Sequence, residues 1–533
     1  TDFVANLNFT NNSMLITGRG GHITGLDVTG VRAGIADLAH GQILTVDAEI
    51  KPTETSYISD LMNQSPLKGS VGSTLEHLQV QGQISGEFHL NLPLNNNEQA
   101  LASGTILFDN NDVALQAPQT NFSKVQGQLN FSNDKITTKD LQLVWQGLPV
   151  AIDVSGINKA DYYDTTIKLA ALWQESDWIR YVPEQLRSYT QGELPWQGEL
   201  SLYQHHQGGF SYNANFFSDL NNTQLVLPAP YARNSTQENN LSIQVTGQKA
   251  QSKVVLNYGD KMHFSGLLDH ESTAFTRANL TLGQDTMVLP NDGFHITTKL
   301  AHVDFSKWQP LISDILDSIN QPSVNMEQEN SMNTVQENSI PFLAKPKRIR
   351  GSIGQLSILG QELNNVSFNL LDKPQWWLLQ LNAKETRSQI KIYPDWLAQG
   401  LDIDAEFLTL PQGKEENDKE VTLAAISQQP DRTENDIIFA NIPPLRFHCD
   451  RCSIGSLNLG MVDVGVKRVG QQMIEFTNFT AKRDKTTLNL TGNWLHNAQG
   501  STTTLAGNLS IDDVETELKA AGYESIIKDQ RIF

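Results

Sequence analysis

The residues whose types and spacing suggest chemistry lie together at His448-Cys449-Asp450-Arg451-Cys452. A Cys-x-x-Cys pair supplies two of the four ligands that a structural zinc site needs, and the chain has only 2 cysteines, so no second pair exists. A redox role requires this motif at the start of a helix in a thioredoxin-like fold, whereas here it lies between strand patterns. We therefore expect Cys449 and Cys452 to form a local disulfide in an oxidising compartment or to remain two unpaired thiols.

Other chemical signals in the sequence are weaker. His205-His206 lacks neighbouring metal ligands and is better explained as a hairpin turn. Gly18-Arg19-Gly20-Gly21-His22 lacks the spacing of a dinucleotide-binding loop and a following helical pattern, so we predict a tight turn. No nucleophile elbow, P-loop, zinc-protease or EF-hand motif occurs. The sequence thus predicts no catalytic residue, no cofactor and no metal site.

Charge and length narrow the class of partner. The 533 residues carry a net charge of -20, from 39 basic and 59 acidic side chains. Such a surface repels phosphate backbones, so we expect no nucleic-acid partner. No apolar run reaches the ~18 residues that span a bilayer, and no signal peptide is present. We interpret the sequence as a segment of a longer protein, with any targeting or anchoring element outside it.

Alternation of apolar and polar residues predicts strands along most of the chain. Residues 383–392 and 481–490 show it best, as two hairpins with charged turns. Helical patterns are few and short, and they begin near Thr53, Ser176, Asp304 and Asp512. A strand followed by a short helix recurs at intervals of about 100–130 residues, which indicates a repeat architecture.

The predicted repeats span residues 1–64, 65–190, 191–320, 342–436 and 437–533. Residues 321–341 are rich in Asn, Gln, Glu, Ser and Met, and we predict a disordered polar loop there. The repeat at 342–436 has an acidic loop, at 411–436, in place of a helix.

The apolar face of these strands has two explanations. In a closed sandwich or barrel it forms a core, whereas in a curled repeat array it lines an open trough. A trough suits an acyl chain, because an acyl chain needs no specific hydrogen bonds along its length. The side chains that we expect to line it are Phe88, Leu90, Leu92, Leu129, Phe131, Leu200, Leu202, Ile390, Ile392, Leu488 and Leu490. The strand pattern does not distinguish a trough from a core.

One resemblance favours the trough. Leu194-Pro195-Trp196-Gln197-Gly198-Glu199-Leu200, followed by Asp219–Pro230, resembles the large bacterial AsmA-like proteins of the YhdP type. The segment Ile454–Trp494, with the following Ala520-Ala521-Gly522-Tyr523, is similar to the same family. The resemblance covers essentially the whole chain. It implies a mainly β fold, an elongated repeating β-groove in which a curled, taco-like antiparallel sheet is crossed by a few short helices between repeats.

The resemblance also implies a function. Proteins of this family are bridge-like lipid transfer proteins that are anchored in the inner membrane of Gram-negative bacteria and cross the periplasm. Their expected role is phospholipid movement from the inner to the outer membrane, which supports the outer-membrane permeability barrier. The implied partners are phospholipids and the two membranes, with no catalytic residues or cofactor.

Two other functions are kept as alternatives to lipid transport. The first is a periplasmic scaffold or outer-membrane assembly factor with a closed β core, which would bind protein partners through exposed strand edges. The second is a polysaccharide-acting β-solenoid enzyme, which would require two carboxylates converging in a cleft.

Overall fold

The computed structural model describes residues 2–40, 43–64, 78–94, 100–116, 119–234, 239–284, 288–320, 343–358, 360–411, 442–455, 457–470, 472–497 and 500–520. The chain divides into two compact units, Thr1–Thr276 with Asp314–Phe342 and Arg277–Ser313 with Leu343–Phe533. Each unit is described by itself. Within the described ranges, no helix is both long enough and apolar enough to cross a bilayer.

The first unit is a sheet whose strands pair almost in chain order. The strands are β1 Phe3–Thr10, β2 Ser13–Ile23, β3 Leu26–Asp27, β4 Arg32–Ile35, β5 Ile43–Glu54, β6 Leu78–Gln81, β7 Gln83–Pro93, β8 Leu101–Gln116, β9 Gln119–Ser132, β10 Lys135–Trp145, β11 Leu148–Asn158, β12 Tyr162–Trp173, β13 Thr190–Gly192, β14 Leu194–His205, β15 Phe210–Ser218, β16 Thr223–Leu225, β17 Leu241–Gln248, β18 Gln251–Tyr258 and β19 Met262–Asp269. Each of these described pairs is antiparallel, and β13 and β16 form a separate small sheet.

Short helices interrupt this sheet at two places. Helix α1, Thr55–Asn63, follows β5. Helix α2, Glu175–Trp178, follows β12 and continues into two 3-10 turns, Ile179–Tyr181 and Glu184–Tyr189. Both helices occur where the helical sequence patterns predict them.

The second unit is also mainly β, and three of its strand pairs are parallel. The strands are β20 Ala274–Gly283, β21 Gly293–Asp304, β22 Arg348–Ile358, β23 Gln361–Asp372, β24 Trp377–Asn382, β25 Thr386–Ile392, β26 Leu401–Leu410, β27 Leu445–Ile454, β28 Leu457–Val469, β29 Met473–Arg483, β30 Thr486–Asn497 and β31 Gly500–Ile511. The helices are α3 Phe305–Asn320, α4 Trp396–Gln399 and α5 Val514–Ala520. The unit boundaries divide β20 after Thr276 and α3 before Asp314, so the start of β20 and the end of α3 belong to the first unit. The parallel pairs are β20 with β21, β21 with β22 and β26 with β27, and parallel pairing requires a crossover connection.

The predicted fold class is confirmed, since strands dominate, the helices are short, and the sheets are not closed. Within the described residues, β1 pairs only with β2 and β31 only with β30, so each unit has an open sheet edge. The two charged hairpin turns are confirmed as well. One joins β24 to β25 and the other joins β29 to β30. His206 lies in the turn after β14, as predicted.

The tight turn predicted at Gly18–His22 is wrong, because these residues lie inside β2. The pairing of β1 with β2 shifts register beside them, between Val4 and Ala5. Gly21 has φ +101°, and a Cβ there would overlap the carbonyl of Asp2. Glycine therefore permits irregular pairing here, not a chain reversal. The loop predicted at 321–341 and the acidic loop beyond Pro411 lie outside the described residues.

Candidate functional site

Strand pairing in the first unit aligns apolar side chains into rows that run across the strands. Directly paired residues lie on the same face of a sheet, so a row can be followed from strand to strand. The Leu200 row contains Val154, Ile167, Leu200, Ala214, Val245 and Val254. The Phe88 row contains Phe88, Gly104, Phe131 and Ile136. Ile136 of the Phe88 row pairs with Gly156 on β11. Gly156 lies two residues from Val154 of the Leu200 row, and residues two apart on a strand point to the same face. Both rows therefore lie on one face.

The second unit carries similar rows. The Ile390 row contains Ile349, Leu370, Leu379, Ile390, Ile403, Phe447, Val464, Phe479 and Leu490. The Leu488 row contains Phe368, Leu381, Ser388, Ala405, Cys449, Val462, Ala481, Leu488 and Leu509. In each unit we call the face that bears these rows the apolar face.

The opposite face of the second unit is polar along the same strands. One row there contains Arg350, Asn369, Gln380, Gln389, Asp404, His448, Asp463, Thr480 and Asn489. Neighbours in this row bond to one another, as Asn369 Nδ2 does in donating to Gln380 Oε1 at 2.8 Å. The hydrogen bond between His448 Nδ1 and Asp463 Oδ1, at 2.6 Å, raises the pKa of His448. The sheet is therefore amphipathic across its thickness.

The structure places all the predicted trough residues on the apolar face of one unit or the other. Leu129 and Leu202 are buried, while the others remain half-buried. Their neighbours along the strands, such as Glu87, Lys391 and Asn489, are exposed. Large apolar side chains in a closed core lose nearly all their solvent contact, so the half-buried state of most of this set indicates a face that is only partly covered.

A glycine within the Phe88 row lets two aromatic rings meet across a strand. Gly104 lies between Phe88 and Phe131, whose ring centroids are 6.4 Å apart. A Cβ on Gly104 would come within 2.9 Å of Phe131 Cζ, so only glycine leaves space for the ring. Gly198 has the same relation to Phe216, with 2.5 Å between its Cβ position and Phe216 Cδ1. Such glycines leave space on the apolar face for the ring of a neighbouring strand.

Helix α1 lies against the apolar face of the first unit. Its Ile58 is only 5% exposed and forms a buried cluster with Ile84 and Ala102. Phe88 and Leu90, two predicted trough residues, pack against that cluster. The helix thus covers part of the apolar face, as expected of a connector that crosses a trough.

The apolar face becomes open at the sheet edges. Leu7 on β1 is 55% exposed and pairs with Ile16 on β2. On β31, Leu505 is 53% exposed and Leu509, the last member of the Leu488 row, is 44% exposed. Each edge therefore presents large apolar side chains to solvent, which soluble proteins generally keep for binding surfaces.

An aromatic strip lies at one end of the strands of the first unit. The ring of Trp196 is 5.0 Å from that of Trp173 and 5.9 Å from that of Phe216, both edge-to-face. Trp145 and Trp173 pack against the same buried cluster as Trp196. Sequence reasoning did not predict this strip. The available signal was the recurrence of Trp near strand ends.

Comparisons with known proteins identify the family of this chain. A family model described as YhdP protein matches residues 1–532. The chain belongs to the YhdP family. No solved structure matches it.

One curated relative is the intermembrane phospholipid transporter YhdP of Escherichia coli (strain K12). It is 22% identical over 532 residues, which cover 99% of this YhdP-family chain and 39% of the relative. The chain thus spans well under half the length of the relative that it matches.

A disulfide joins Cys449 to Cys452 in this YhdP-family chain. On a regular strand, residues three apart lie on opposite faces. Here the register of β27 against β28 shifts between the two cysteines. Both sulfurs consequently join one buried cluster with Ala405, Val462 and Ala481 on the apolar face. In the part of the chain that the structure describes, no group of three or more His, Cys, Asp or Glu side chains is placed to hold a metal ion.

Proposed function

We propose that this chain moves phospholipids between membranes by sheltering their acyl chains on the apolar faces of its two units. The observation that carries the proposal is the alignment of half-buried apolar side chains into rows that cross strand after strand, with polar rows on the opposite face. The family relationship supports the same function, because the E. coli relative is named as an intermembrane phospholipid transporter.

The physical basis of the proposal is hydrophobic. Each acyl methylene that leaves water for an apolar surface gains about 0.8 kcal/mol, so a whole acyl chain is held without specific hydrogen bonds. The headgroup stays in water beside the apolar face. We place this activity in the periplasm, within a protein anchored in the inner membrane, where phospholipid delivery to the outer membrane supports its permeability barrier.

A closed-core scaffold is less well supported. A closed core would cover the large apolar residues of the edge strands, yet Leu7 and Leu505 are both more than half exposed, at 55% and 53%. Substituting a residue of a closed core by aspartate would also unfold the protein, which gives an experimental distinction.

The test compares two substitutions at adjacent positions of β30. Leu490 is half-buried in the Ile390 row, and Asn489 is exposed on the polar face. Leu490→Asp places a carboxylate among apolar side chains, whereas Asn489→Asp keeps the oxygen that accepts from Thr480 Oγ1 at 3.0 Å. Each variant of the 533-residue chain is expressed in a Gram-negative periplasm, and co-purifying phospholipids are quantified by native mass spectrometry and lipid extraction.

We expect bound phospholipid in the wild type and in Asn489→Asp, and a loss of several-fold or more in a folded Leu490→Asp, because ionised groups are excluded from hydrocarbon. A folded wild type without any phospholipid would contradict the proposal. Equal phospholipid in both variants would place the binding surface elsewhere, and unfolding of Leu490→Asp alone would favour a closed core.

A further inference from the structure

The indole N–H of Trp196 is a buried donor that meets no acceptor among the residues the structure describes. The other indoles of this region are paired. Trp145 Nε1 donates to Thr120 Oγ1 at 3.2 Å, and Trp173 Nε1 donates to the Pro149 carbonyl at 2.8 Å. Trp178 Nε1, in α2, donates to the Gly192 carbonyl at 3.2 Å. Trp196 is therefore the exception in a group whose other members follow the general rule that buried donors are satisfied.

The surroundings of Trp196 define what kind of acceptor would suit it. The indole contacts the rings of Trp173 and Phe216. It packs against the buried cluster that contains Val150 and Ile152, and that cluster is apolar. A charged phosphate would lose its hydration here without a matching cation, whereas a neutral carbonyl loses much less. The suitable acceptor is thus neutral and attached to an apolar group.

The position of Trp196 on the apolar face agrees with such a ligand. Trp196 lies on β14, on the same face as Leu200 of the Leu200 row four residues along the strand. Its pairing partner on β12 is Ala171, which lies two residues from Leu169 and therefore on the same face as that leucine. Aromatic residues with a polar edge are typical of the level at which a hydrocarbon region meets a polar one. In a glycerophospholipid, the acyl ester carbonyl occupies that level, between the hydrocarbon chain and the headgroup.

We propose that a bound phospholipid displaces the side chains that shield Trp196 Nε1 from solvent and that the indole N–H then donates a hydrogen bond to an acyl ester carbonyl of that lipid. This makes Trp196 a specificity-determining residue for ester-linked lipids. This inference rests on the proposed function, since it requires a phospholipid on the apolar face of the first unit. It adds a chemical preference that the rows of apolar side chains do not supply, because hydrocarbon contacts do not distinguish an ester from an ether linkage.

The test is a competition between two lipids that differ only in the carbonyl. The 533-residue chain is incubated with equal amounts of a diester and a diether phosphatidylethanolamine of the same chain length. The ratio of the two bound lipids is then measured by mass spectrometry after extraction. Because the ratio is internal to each preparation, a reduced yield of a variant does not affect it. The variants are Trp196→Phe, which keeps a ring and removes the N–H, and Trp178→Phe, whose N–H already serves Gly192.

For a lipid bound at Trp196, one net neutral hydrogen bond favours the diester by about 2- to 10-fold. Lipid bound elsewhere on the apolar faces dilutes this preference, so the wild type and Trp178→Phe should give a bound ratio above one and at most about 10. In Trp196→Phe the ratio should fall to about one. Equal binding of the two lipids by the wild type would overturn the inference, since the N–H would then make no bond to the ester carbonyl. A diester preference that survives in Trp196→Phe would overturn it as well, because another donor would be responsible. Absence of both lipids from the wild type would instead refute the proposed function itself.

Discussion

Replacing Ile58 by alanine tests whether α1 is held on the apolar face by hydrophobic contact. Ile58 is 5% exposed and packs with Ile84 and Ala102. The substitution removes three carbons, at about 0.8 kcal/mol each, so the transfer loss is about 2.4 kcal/mol. Incomplete collapse of the cavity raises the expected cost to about 3 kcal/mol, within the usual range for such changes. A helix of 9 residues has little stability of its own, so it should detach.

Hydrogen exchange is the appropriate assay, because the chain has two units and a single global unfolding energy is not defined for it. A cost of about 3 kcal/mol corresponds to roughly 100-fold faster exchange of the hydrogen-bonded amides of α1. Ser56→Ala, at an exposed position of the same helix, should change exchange by less than about threefold. If Ile58→Ala exchanged as slowly as Ser56→Ala, the helix would not depend on its contact with the apolar face, and the reasoning would be refuted.

Two further predictions concern charged groups of the second unit. Glu517 of α5 forms an ion pair with Arg483, and the two side chains are 17% and 15% exposed. Glu517→Ala leaves the Arg483 charge without this partner, so it should destabilise the docking of α5 by about 2–3 kcal/mol, as measured by hydrogen exchange of the α5 amides. A loss below about 0.5 kcal/mol would contradict this reasoning. Hydrogen bonds to Asp463 and then to Asp450 raise the pKa of His448. A raised pKa in the folded state stabilises the protein below the ordinary His pKa, so the stability of β27 and β28 should fall as pH rises through the folded-state value. His448→Gln should abolish that pH dependence of stability. If the variant kept the dependence, a titratable group other than His448 would be its cause.

The dominance of strands and the positions of most of the described helices could be predicted from the sequence, because their signals are local. Helix α4 and the part of β2 that contains Gly18 were not predicted. Alternation with a period of two specified β segments and put Leu488 and Leu490 on one side of their strand, whereas it did not decide which side lines a groove. Capping residues and apolar spacing located α3 and α5 near Asp304 and Asp512. These features depend on a few neighbouring residues, which the sequence shows directly.

Features that depend on distant partners were not predictable in this way. The parallel pairing of β26 with β27 joins residues far apart in the sequence, such as Leu401 and Leu445, so it could not be inferred from alternation. The register shift that brings Cys449 and Cys452 to one face likewise depends on β28. Whether the Trp196 indole finds an acceptor depends on side chains from several strands, which no spacing in the sequence records.

The uniformity of the apolar rows bears on the direction of the phospholipid movement that we propose. Neighbouring strands are about 4.8 Å apart, and the Leu200 and Ile390 rows offer a lipid nearly the same hydrocarbon environment at each such step. A path with nearly equal free energy at every step favours neither direction, so net flow within a unit would follow the difference in phospholipid chemical potential between its two ends. The aromatic strip at Trp196 would add a shallow energy well, and such a well slows passage equally in both directions. Any directional bias must therefore be supplied where lipid enters or leaves the apolar face.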